Sequence, residues 1–181
     1  MRYAAASILL LISGCHRPSE LPSLGAVPPF KLTDQSGRPF NSQTLDGRVW
    51  VADFIFTSCG GVCPRMTSQM AKVQDEFRGL SDLKFVSFTV DPAHDTPEQL
   101  AKYAREHHAA EGAWYFLTGA QDTLQMLDRD AFKLGNVDSS LQHSSRFVLL
   151  DRHSQIRGYY DTSEPDAIPH LIADIKDLLN S

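Results

Sequence analysis

The stretch Val49-Trp50-Val51-Ala52-Asp53-Phe54-Ile55-Phe56 carries apolar side chains on both alternating faces and a single acid, Asp53, in its middle. A strand that is apolar on both sides belongs at the centre of a sheet with both faces covered. It runs directly into Thr57-Ser58-Cys59-Gly60-Gly61-Val62-Cys63-Pro64. Pro64 suits the first position of a helix, which should run to about Arg78, because the N–H it lacks has no partner there. Met66, Met70, Val73 and Phe77 recur at helical spacing and predict that helix's buried stripe. Strand, cysteine loop and helix in series set an α/β layer fold. They put two thiols at the carboxyl end of a central strand, where ligands bind in open α/β sheets.

The rest of the chain agrees with this plan. Phe30 to Thr33 and Arg38 to Phe40 flank Asp34-Gln35-Ser36-Gly37, a hairpin signal. Asp46-Gly47 reads as a turn and Leu83 to Val90 as the next apolar strand. Thr96-Pro97-Glu98-Gln99 is a capping box with proline in the first turn, so a helix starts there. Trp114 to Leu117 predicts a short strand, Asp122 to Phe132 a helix, Arg146 to Leu150 and Ile156 to Tyr160 two strands, and Pro165 to Leu179 the closing helix. Strands alternating with helices predict an α/β layer domain over 30–181.

The N-terminus reads differently. Arg2 precedes an apolar stretch, Ala4 to Ile12, of signal-peptide length that ends in Leu11-Ile12-Ser13-Gly14-Cys15. That run resembles a bacterial lipobox. The expectation is a signal peptide over 1–14, lipid on the Cys15 thiol, and a tether over 15–29 in which four prolines fall between His16 and Pro29. The domain would then be exported and anchored to a bacterial membrane, facing the periplasm or the cell exterior. Lipidation of Cys15 leaves only Cys59 and Cys63 of the three cysteines. An exported domain with one close pair is not a disulfide scaffold, so the pair is read as redox-active or metal-binding. A net charge of −5 argues against a nucleic-acid partner, which would select a basic patch.

Cys63 is expected at the helix N-cap, where unpaired backbone N–H groups and the helix dipole favour a thiolate. Three residues separate the cysteines, against two in thioredoxin-type reductases, and the Gly-Gly loop lets the sulfurs converge on each other or on one ion. Zinc usually takes four ligands, and no second cysteine pair is present; two soft thiolates plus an imidazole suit Cu(I). Asp53 lies six residues before Cys59 with Val51 and Ile55 on its face. Buried there, its pKa should rise. It is read either as a proton acceptor beneath the cysteines or as an acid paired with a lysine. Met66 and Met70 belong to the core stripe, and His94, His107, His108, His153 and His170 are read as solvated.

Phe54 to Pro64, then Val90-Asp91-Pro92-Ala93-His94-Asp95-Thr96-Pro97-Glu98, then His143-Ser144-Ser145-Arg146 to Asp151, together resemble the Sco/SenC family over about Phe30 to Leu179. The resemblance implies a thioredoxin-like, peroxiredoxin-related fold, with a mixed sheet flanked by helices and an N-terminal hairpin. It implies a copper carrier, not a turnover enzyme, that delivers copper, as Cu(I) or Cu(II), to the binuclear centre of cytochrome c oxidase. The implied partners are the oxidase subunit holding that centre and a copper donor or thiol reductant. The implied ligands are Cys59, Cys63 and His143, with Asp91 as an acceptor that orients His143 or as a loop cap. Gly60-Gly61 departs from relatives that carry a proline or an acid there. The competing reading is a thiol–disulfide oxidoreductase acting on a copper-receiving partner, with Cys59 and Cys63 exchanging and Asp53 moving protons.

Overall fold

The computed structural model describes residues 21–135 and 144–181. Seven strands form one mixed sheet in the order β2-β1-β5-β4-β3-β6-β7. The hairpin is present as β1 (Lys31–Asp34) and β2 (Pro39–Asn41), antiparallel, with Leu32 opposite Phe40. Asp34 builds its turn by accepting from the backbone N–H groups of Ser36 and Arg38. The apolar run is β3 (Val49–Ile55), buried at every position. It lies between β4 (Leu83–Thr89), parallel, and β6 (Arg146–Leu150), antiparallel. Next to β4 comes β5 (Trp114–Thr118), parallel, and β7 (Ile156–Asp161) closes the other edge against β6.

Side-chain alternation along β3 divides the core in two. Val49, Val51 and Ile55 face α1 (Val62–Glu76), α2 (Pro97–Glu106) and α4 (Ala167–Asn180). Trp50, Ala52 and Phe54 face α3 (Gln121–Met126), the π turn Leu127–Ala131 and the segment around Val27 and Phe30. Asp53 has the parity of Val51 and Ile55 and so lies beneath α1. The stripe Met66, Met70, Val73 and Phe77 is buried as its spacing requires. Thr96 caps α2 and accepts from the Gln99 N–H, with Pro97 at the first position.

Three boundaries differ from the sequence reading. The helix expected to run evenly to Phe132 widens into a π turn, with the Phe132 N–H bonded to the Leu127 carbonyl at 2.8 Å. The wider turn brings the Phe132 ring against Trp50, Phe54 and Phe88. The closing helix begins at Ala167, because the chain from Asp161 to Glu164 first makes a turn. The stretch expected as a tether is docked from Leu21 onward. Leu24 N–H bonds the Ile156 carbonyl, Ile156 N–H bonds Gly25, and Val27 is buried. Arg157 also reaches the Leu21 and Pro22 carbonyls. Among the described residues no helix is long and apolar enough to cross a membrane.

Candidate functional site

The cysteine turn follows the last residue of β3. Cys59 N–H bonds back to the Phe56 carbonyl at 3.2 Å and turns the chain. Gly61, not Cys63, is the N-cap of α1, so Cys63 and Pro64 are the second and third helical residues. This corrects the sequence reading. No N–H of the first turn has an acceptor inside the helix, so a proline fits at the third position as well as at the first and does not fix the start. Thr67 Oγ1 donates to the Cys63 carbonyl at 2.9 Å. With that hydrogen committed, the Tyr103 hydroxyl donates to Thr67 at 2.8 Å and ties α2 to the start of α1.

Cys59 and Cys63 are thiols in hydrogen-bond contact with each other. Their surroundings differ. Cys59 is half-buried, whereas Cys63 is fully buried. Burial acts to raise the Cys59 thiol, but it is outweighed by the Cys63 thiol and by backbone N–H groups of Cys63, Gly61 and Val62, which hold Cys59 below the ordinary range. Burial pushes Cys63 well up, and its bond to Cys59 adds to this. The expected thiolate at Cys63 is therefore corrected. The N–H groups opening α1 serve the sulfur lying outside the helix, and the sulfur inside it is desolvated.

Asp53 lies beneath this pair and is fully buried. Its Oδ1 accepts from Ser87 Oγ at 2.6 Å, and Ser87 in turn accepts from Trp114 Nε1 at 3.0 Å. Oδ2 is buried with no hydrogen-bond partner. The partner is a serine, not a lysine. Burial therefore dominates, opposed by the weaker pull of Ser87, and the carboxyl is pushed up to about 7. Its charge is one of the influences that raise Cys63.

The turn after β4 supplies the other residues. Both Asp91 carboxylate oxygens lie at 2.8–2.9 Å from Nδ1 of His94, whose side chain is 78% exposed. Asp91 thus serves an imidazole three residues away. Its expected bond to His143 lies outside the described residues, as does Cys15. Asp95 escaped the sequence reading. It is fully buried, and its carboxylate accepts from the Thr57 N–H at 3.1 Å, Thr57 Oγ1 at 2.5 Å and Thr89 Oγ1 at 2.5 Å. It fastens the 91–95 turn to the chain two residues before Cys59. An acid next to a capping threonine gives the only sequence hint, and its partner Thr57 is 38 residues away.

His143 also lies outside the described residues. The described chain resumes at Ser144, just before β6. In the antiparallel register Ala52 pairs with Val148 and Trp50 with Leu150, so β6 starts at the edge of the sheet where β3 ends. Among the described residues, no group of three His, Cys, Asp or Glu side chains could hold a metal ion.

The sequence pattern of the family SCO1/SenC matches residues 20–180. A Stutzerimonas stutzeri protein named for copper binding is 34% identical over an alignment of 148 residues that covers 77% of this chain and 71% of that protein. The crystal structure of a SCO1/SenC family lipoprotein from Bacillus anthracis str. Ames has 33% identity and a TM-score of 0.78, covering 87% of this chain and 97% of that one. BsSco, described as a Sco-family cytochrome c oxidase assembly protein with a disulfide switch, has 32% identity and a TM-score of 0.77 over 87% of this chain and 96% of its own. The sheet and its helices share the thioredoxin-like arrangement of these two structures. On a match that runs from ahead of the hairpin to the last helix, the chain belongs to the SCO1/SenC family.

Proposed function

We propose that this protein carries copper for the assembly of cytochrome c oxidase, holding the ion between the thiolates of Cys59 and Cys63 and the imidazole of His143. The observation that carries this reading is the thiol pair. Two sulfurs in mutual contact stand at the carboxyl edge of the sheet, and neighbouring N–H groups and the Cys63 thiol hold Cys59 below the ordinary thiol range. Soft thiolates with one imidazole suit Cu(I), which accepts low coordination numbers. The start of β6 at this edge, just after His143, supports the third ligand. The donor set fits copper. Cys59 offers the first sulfur, and Cys63 gives up its proton as the ion binds, so loading weakens as pH falls. The naming of the Stutzerimonas relative for copper binding and the description of BsSco as an oxidase assembly protein support cargo and recipient. The recipient is then the oxidase subunit with the binuclear copper centre, and a copper donor or thiol reductant is the other partner.

The location belongs to the same reading. A signal over 1–14 and lipid on Cys15 would hold the domain on a bacterial membrane, outside the cytoplasm. The Bacillus anthracis lipoprotein supports this. Cys15→Ser should release the protein from washed membranes; a wild type that is fully soluble and keeps Met1 contradicts the anchor.

A second reading, thiol–disulfide exchange on a copper-receiving partner, is favoured by the asymmetry of the pair. Cys59 is the accessible, more acidic sulfur suited to attack, and Cys63 is the shielded one suited to resolve the mixed disulfide. Asp53 would take the proton that Cys63 must lose. Anaerobic Cu(I) titration of the reduced protein, run beside a disulfide-reductase assay, separates the two. One tight equivalent with negligible turnover supports the carrier, and the reverse outcome replaces it with the reductase. Asp53→Asn should slow thiol exchange and leave Cu(I) binding nearly unchanged.

A further inference from the structure

His94 is a solvated histidine by sequence, yet the structure gives it a built orientation. Its Nδ1 faces both oxygens of Asp91 at 2.8–2.9 Å, so Nδ1 carries a hydrogen and, in the neutral ring, the lone pair sits on Nε2. Metal-binding histidines typically donate their second N–H to a carboxylate, which fixes the ring and raises its basicity. Asp91 itself is held in place. Its N–H bonds Thr89 Oγ1 at 2.9 Å, and its carbonyl accepts from the N–H groups of His94 and Asp95. An independent set of contacts joins this turn to the cysteine turn. Val90 N–H bonds the Ile55 carbonyl, and Asp95 grips Thr57. Ile55 and Thr89 are paired in the parallel register, so Cys59 and His94 follow neighbouring strands at one edge. The other described histidines lack such a carboxylate clamp. His107 lies tilted against Tyr103, and none of His107, His108, His153 and His170 has a side-chain ion pair among the described residues.

We propose that His94 is a second copper ligand, outside the dithiol site, that holds the ion transiently while it passes to or from Cys59 and Cys63. This rests on the copper-carrier reading. One exposed imidazole cannot retain copper alone, and no described side chain completes a shell there. Transfer requires just that, because a donor's or recipient's ligands must fill the remaining positions before the ion moves on. Ligands exchange and the ion stays Cu(I), so no electron moves.

The test has two arms at about pH 8, set above the ordinary imidazole range because Asp91 raises the proton affinity of the ring. First, Cu(I) supplied anaerobically as its acetonitrile complex is titrated into the Cys59→Ser/Cys63→Ser variant while the histidine ring protons are followed by NMR. The His94 signals should move at least several-fold earlier than those of His153 and His170, and Asp91→Asn should abolish that lead. Second, stopped-flow loading of the otherwise wild-type protein should slow several-fold in His94→Ala, with the Cu(I) affinity at equilibrium unchanged. His94 responding together with the other histidines, or loading at the wild-type rate, overturns the proposal. Wild-type protein that takes up no tight equivalent of Cu(I) defeats the carrier reading instead, and the first arm still reports on His94.

Discussion

Two turns leave the same edge of the sheet, one after β3 and one after β4, and they are built on opposite plans. In the 91–95 turn nearly every polar group is engaged. Thr89, Asp91, Asp95 and the backbone between them bond one another, and Thr96 caps the helix that follows. In the cysteine turn the backbone N–H groups converge on the Cys59 sulfur instead. Two glycines occupy its middle, Gly61 caps α1 without a side-chain bond, and a Cβ at Gly60 would meet nothing within 4 Å. The rigid turn grips the base of the open one through Asp95 and Thr57. On the copper-carrier reading, rigidity is placed beside the sulfurs and adaptability is kept where the ion would come and go, so that release would not have to break a fully bonded turn.

The comparison is broken most severely by removing the grip. Asp95→Ala leaves Thr57 N–H, Thr57 Oγ1 and Thr89 Oγ1 without their acceptor, and unpaired buried donors cost about 1–3 kcal/mol each. A loss of about 3 kcal/mol or more in denaturant unfolding of the reduced protein is expected. A loss under about 1 kcal/mol would show that the 91–95 turn does not support the cysteine turn.

Asp53 gives a smaller effect that depends on pH. Its pKa in the folded protein is about 7, above the ordinary 3.8, so the folded state binds more protons than the unfolded state between these values. Stability therefore falls as pH rises from about 4 to about 7 and levels off above, by an amount on the order of a few kcal/mol. Asp53→Asn should flatten that part of the pH–stability curve. An unchanged slope would mean that Asp53 titrates as an exposed acid does.

The least effect is expected from Gly60→Ala. The open space around it predicts a stability change within about 0.5 kcal/mol of wild type. A large loss would mean that the turn is as tightly built as its neighbour.

The contrast between the turns also separates what could be read in the sequence from what could not. The run Val49 to Phe56, the hairpin around Asp34 and the box beginning at Thr96 are local signals, because strand alternation and capping depend on nearby residues. The cysteine pair and the buried Asp53 stood out for the same reason. The acidity of the two thiols did not. It depends on whether Gly61 or Cys63 caps α1, and Pro64 is compatible with either. The Asp95 grip was also hidden, since its carboxylate meets Thr57 only after β3 and β4 pair. Asp91 was singled out on sequence grounds, but its described partner is the neighbouring His94. Docking of residues from Leu21 onward carries no hydrophobic periodicity, because backbone groups and Arg157 do much of the holding.

The central claim is that an imidazole completes a copper shell begun by the two thiols of the open turn. The most direct measurement is anaerobic copper competition on His143→Ala, beside a redox titration of the same protein. The variant should lose more than about 100-fold in copper affinity, beyond the range typical of changes outside the ligand shell, and still oxidise and reduce Cys59 and Cys63 reversibly. Binding of Cu(I) and Cu(II) as tightly as in wild type would contradict the carrier and leave thiol–disulfide exchange as the work of the pair.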